Sequence, residues 1–64
     1  MDTLPNITVE MLAGRTIEQR KEFAAAVTSA AVDILKVRSE SVRIRYDEHE
    51  KADYAKGGVL GTDL

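Results

Sequence analysis

Asn6-Ile7-Thr8-Val9-Glu10-Met11, then Ala13-Gly14-Arg15, then Thr16-Ile17-Glu18-Gln19: this stretch decides how the chain begins. Ile7, Val9 and Met11 alternate with Asn6, Thr8 and Glu10, which is the two-residue period of a strand with one buried face. The Ala-Gly-Arg break ends that period. Thr16 and Gln19 then have the spacing of a capping box: the threonine hydroxyl accepts from the third helical N–H, and the glutamine reaches back. Glu18 in the first turn suits the positive end of the helix dipole. A helix is therefore expected from Ile17 to Leu35, with Phe23, Val27, Ala30, Ala31 and Ile34 as its apolar stripe. At ~1.5 Å per residue it is nearly 30 Å long, enough to return the chain to the start of a parallel strand.

That second strand is expected over Ser41–Asp47, where Val42, Ile44 and Tyr46 alternate with Ser41, Arg43, Arg45 and Asp47. Strand, long helix and strand make a right-handed β-α-β unit. A polar stretch follows to Asp53, and the Gly57-Gly58 pair predicts a tight turn or short hairpin. The fold class is α+β, in a single domain over residues 1–64. Two strands under one helix leave both edges open and one sheet face half covered. Two such units paired edge to edge give a four-stranded sheet with two helices, and further copies cover the polar face. Arg43 and Arg45 then point into an interface or cavity between subunits.

Composition supports self-association. A chain of 64 residues buries only about 60% of its unfolded surface, and small domains compensate with disulfides, metals or partners. There is no cysteine and only one histidine, His49, which excludes disulfides, thiolate sites and histidine-rich metal sites. A net charge of −2 gives no electrostatic footprint for nucleic acid, and no apolar run approaches a membrane span. The start, Met1-Asp2-Thr3-Leu4, lacks the features of a secretory signal, so a cytoplasmic location is the expectation.

Three features bear on chemistry. Pro5 heads the first strand, where on pattern alone it is structural punctuation, since its missing N–H costs nothing there. Arg15 and Arg43 carry rigid guanidinium forks matched to carboxylates, and Arg15 precedes a helix N-terminus, where anions are favoured. The plainer uses are a surface carboxylate partner for Arg15 and an intersubunit salt bridge for Arg43. Asp47-Glu48-His49-Glu50 holds ligand-type side chains, but consecutive residues diverge, so a solvated loop with an exposed His49 and no metal is expected. There is no phosphate loop and no nucleophile elbow.

From Pro5 to Gln19 the chain resembles the opening of the 4-oxalocrotonate tautomerases: proline and an alternating strand, then Leu12-Ala13-Gly14-Arg15-Thr16-Ile17-Glu18-Gln19. The likeness runs through Ser41-Val42-Arg43 to Tyr54-Ala55-Lys56-Gly57-Gly58, nearly the whole chain. It implies a hexamer, a trimer of dimers, that moves a proton in a small 2-oxo or 2-hydroxy acid without cofactor or metal. By that resemblance Pro5 occupies the position of an amino-terminal proline base. Arg15 and Arg43 hold the substrate carboxylate and polarise its oxo group, and Tyr54 is an aromatic wall. An amine in a dry cationic pocket loses affinity for its proton and acts as a base near neutral pH. Arginines aimed at the oxygen where charge develops stabilise the transition state.

One departure from that pattern has chemical weight. Pro5 follows Met1-Asp2-Thr3-Leu4, so its nitrogen is an amide whose lone pair is delocalised into a carbonyl, and it is no base while those residues remain. Two functions from different classes follow. One is a tautomerase, activated by exposure of Pro5 or using another base. The other is a non-catalytic family member: a binder of small carboxylates, or a partner subunit in a mixed oligomer.

Overall fold

The computed structural model describes residues 4–64, so most of the Met1–Leu4 extension lies outside the described residues. Strand β1 (Asn6–Leu12) leads to helix α1 (Ile17–Leu35), strand β2 (Arg43–His49), and a hairpin of β3 (Ala55–Lys56) and β4 (Val59–Leu60). Short 3₁₀ turns occupy Ser39–Ser41, Lys51–Asp53 and Gly61–Asp63.

Local sequence explains each boundary. The Thr16 hydroxyl accepts from the Gln19 N–H at 3.0 Å, and the Gln19 side chain accepts from the Thr16 N–H at 3.0 Å, so the expected capping box is present. The helix ends where Lys36 turns left-handed at φ 58°, its N–H donating to Val32 O. Gly57 and Gly58, at φ 60° and 83°, supply the two positive-φ positions of the β3–β4 turn.

The expected strand Ser41–Asp47 is displaced. Ser41 belongs to a 3₁₀ turn, where its hydroxyl donates to Arg38 O at 2.7 Å, and β2 starts at Arg43 and continues to His49. The reason is the parallel register with β1, which pairs Asn6 with Arg43 and Leu12 with His49 and so extends β2 as far as β1 can hydrogen-bond it. Residues 47–49 are therefore strand rather than solvated loop.

The helix stripe also needs correction. The line of α1 turned toward the sheet runs through Arg20, Ala24, Val27, Thr28 and Ala31. Phe23, Ala30 and Ile34, at spacings of seven and four, form an open flank, with Ile34 75% exposed. Two strands are too narrow to cover an apolar stripe of that width. Arg20 anchors the first turns of α1: its guanidinium lies 2.6 Å from Glu48 Oε1 and 5.9 Å from the Tyr46 ring centroid. The Tyr46 hydroxyl donates to Arg20 O at 2.7 Å.

Among the described apolar residues, Ala31 and Val37 are the buried ones. The radius of gyration, 15.2 Å, exceeds the about 11 Å of a compact domain of this length. The accessible surface, 5112 Å², exceeds the about 4,100 Å² of a folded 7.1 kDa monomer. That excess of about 1,000 Å² is the size of one partner's share of a stable interface. No helix among the described residues is long and apolar enough to cross a membrane.

Candidate functional site

Strand alternation sorts the sheet into two faces. Ile44, Tyr46 and Glu48 share the helix side with Ile7, Val9 and Met11. Arg43, Arg45, Asp47 and His49 share the opposite side with Asn6, Thr8, Glu10 and Leu12.

Pro5 and Arg43 meet at one end, where the Pro5 carbonyl accepts from the Arg43 N–H at 3.0 Å. Beside them a cleft of about 350 Å³ is lined by Asn6, Thr8, Arg43 and Arg45. Neither arginine has a carboxylate partner among the described residues. Arg15 and Tyr54 lie at the other end of the sheet. From Pro5 to Leu12 the strand advances roughly 20 Å at about 3.3 Å per residue. Arg15 borders a cleft of about 440 Å³ with Gln19, Arg20, Phe23 and Tyr46. Tyr54 borders a second cleft of similar size with Glu10, Met11, Leu12, His49 and Asp53. One protomer thus brings Pro5 and Arg43 together and holds Arg15 and Tyr54 far from them.

Tyr54 is held by backbone. Its carbonyl accepts from the Gly61 N–H at 2.8 Å, and its ring packs so closely on Gly61 that a Cβ there would fall 2.5 Å from Cε1. Gly61 is buried because a ring and a carbonyl close over it.

Consecutive members of the acidic run diverge as expected, with Glu48 on the helix side, but Asp47 and His49 share a face and meet Glu10 there. His49 Nε2 lies 3.5 Å from Glu10 Oε2 and 3.9 Å from Asp47 Oδ1. One ligand-type atom from each residue falls within 4.8 Å of the others, a spacing a metal ion would also accept. Register is the cause: Glu10 opposes Asp47 across the strands, and Asp47 and His49 share a face two residues apart. The missed signal was that spacing, legible only once β2 extends through His49.

The family model described as tautomerase enzyme matches residues 5–63, beginning at the proline. A probable tautomerase of Listeria monocytogenes is 34% identical over 61 residues, covering 95% of this chain and all of that protein. Among solved structures, a 4-oxalocrotonate tautomerase isozyme study from Methylibium petroleiphilum supplies a chain 36% identical, with TM-score 0.83 and 91% of each chain covered. A heterohexameric 4-oxalocrotonate tautomerase of Chloroflexus aurantiacus aligns at 30% identity and TM-score 0.83, over 94% of this chain and 97% of that one. With sequence and fold agreeing over nearly its full length, the chain belongs to the tautomerase enzyme family.

Proposed function

We propose that this protein is a tautomerase that moves a proton between carbon and oxygen in a small 2-oxo or 2-hydroxy acid, without cofactor. Its site is shared between protomers: Pro5 and Arg43 come from one sheet end, Arg15 and Tyr54 from the opposite end of a neighbouring copy. The supporting observation is the roughly 20 Å between the two halves in one chain, together with an open apolar helix flank that a neighbouring subunit would cover. Edge-to-edge pairing of two units and stacking of three pairs gives a hexamer that closes these gaps. Arg15 and Arg43 hold the carboxylate and stabilise the oxygen as charge develops, and the Tyr54 ring excludes water. Pro5 serves as base when its nitrogen is a free secondary amine.

A second reading rests on the acylated Pro5 nitrogen: a carboxylate-binding partner subunit of a mixed oligomer, an assembly type reported for the Chloroflexus relative. The two readings separate by assay. Ketonisation of 2-hydroxymuconate and enolisation of phenylpyruvate are followed with the full-length chain and with a form starting at Pro5. Turnover by the form starting at Pro5 supports the tautomerase; silence from both forms, with carboxylate binding retained, supports the partner subunit.

A further inference from the structure

The chain has one histidine, and the fold surrounds it with the parts of a proton-transfer group. His49 lines the same cleft of about 440 Å³ as Tyr54, with Met11 and Leu12 as apolar wall. Its Nε2 is shielded from solvent and makes no hydrogen bond among the described residues. The Glu10 and Asp47 carboxylates approach that one nitrogen at 3.5 and 3.9 Å. Carboxylates this near Nε2 favour a proton there by electrostatics, without a formed hydrogen bond, and so leave the lone pair on Nδ1. The ring keeps 38% of its side-chain surface open. A histidine oriented by a carboxylate beside a cleft is the recurring arrangement of a general base.

We propose that His49 is the base of this chain while Met1–Leu4 remain attached, with Glu10 and Asp47 as its positioning residues. The proposal rests on the tautomerase reading and supplies what an acylated Pro5 lacks. In the enolisation of a 2-oxo acid, Nδ1 takes a proton from C3. The C–H electron pair becomes the C2=C3 double bond as the carbonyl pair moves onto oxygen. The imidazolium then returns the proton to that oxygen, giving the enol and neutral imidazole, so no co-reactant is consumed. Glu10, Asp47 and Asp53 make the cleft acidic, and a carboxylate enters it only against cations. Arg15 lies at this end of the sheet, and Arg43 and Arg45, which lack carboxylate partners among the described residues, come from a neighbouring protomer.

The test uses the full-length chain with phenylpyruvate and 2-hydroxymuconate, comparing His49→Ala and His49→Gln with the parent. The expected result is a fall in kcat of at least about a hundredfold in both variants, the usual contribution of a general base. Added imidazole should restore part of it in His49→Ala, where the space is vacated, and not in His49→Gln. Rescue by free imidazole reports proton transfer in a folded protein, which a structural role would not produce. Undiminished activity in either variant, or a loss in His49→Ala that imidazole does not recover, overturns the proposal. A full-length chain that is inactive while the Pro5-starting form is active overturns His49 and leaves the tautomerase reading intact. If neither form turns over either substrate, both fall together.

Discussion

Gly61→Ala tests how the Tyr54 wall is built. A Cβ at this position would overlap the Lys51 carbonyl oxygen and fall 2.5 and 2.9 Å from Cε1 and Cδ1 of Tyr54. Carbon atoms in contact prefer about 3.5–4.0 Å, so each ring contact is short by roughly 1 Å. The half-exposed ring can swing outward. The Lys51 oxygen cannot, because it belongs to the 3₁₀ turn Lys51–Asp53, whose Asp53 N–H donates to Glu50 O at 2.9 Å and whose Asp53 carboxylate accepts from the Glu50 N–H at 3.0 Å. One overpacked methyl that forces backbone to shift costs about 1–3 kcal/mol. For a domain this small, each kcal/mol corresponds to roughly 4–8 °C in Tm. Thermal unfolding of parent and variant at equal protein concentration reads the difference, since self-association makes Tm concentration-dependent. Tyr54→Ala on top of Gly61→Ala should recover only the ring's share, leaving the backbone clash in place. A Gly61→Ala protein as stable as the parent would refute the reasoning, as would full recovery in the double variant.

Thr16→Ala removes the helix cap and should cost about 1 kcal/mol, read as a lower urea midpoint with an unchanged m-value; an unchanged midpoint would mean the cap is not formed in solution. Ile34→Lys places a charge on the open flank of α1. It should lower the assembly mass measured by light scattering while leaving helix content intact, whereas an unaltered mass would show that the flank faces water in the assembly. Arg43→Ala should raise KM for carboxylate substrates of the active form about tenfold or more, since a charge-assisted hydrogen bond contributes about 1.5–3 kcal/mol. An unaltered KM and kcat would remove Arg43 from the site.

The proposed site was legible in the sequence as positions without geometry. Pro5, Arg15, Arg43 and Tyr54 could be named from the chain, and nothing in their spacing said that strand length would hold two of them roughly 20 Å from the others. His49 shows the converse. The run Asp47-Glu48-His49-Glu50 suggested a loop, because consecutive side chains diverge, and the carboxylate nearest its Nε2, that of Glu10, lies 39 positions earlier in the sequence.

The sequence by itself determined the elements. Periods of two and of about 3.6 residues, the Thr16–Gln19 cap and the Gly57-Gly58 turn are local properties, and α1 at Ile17–Leu35 and the β3–β4 turn follow from them. Only the tertiary structure decided where β2 begins and ends, which line of α1 meets the sheet, and which charges share a face. Those depend on pairing with β1. Shifting the register by one residue would carry Asp47 and His49 to the helix side and dissolve their meeting with Glu10. Backbone hydrogen bonds are alike in every register, so joint burial of the apolar faces of both strands, rather than the pattern of either strand alone, selects this one.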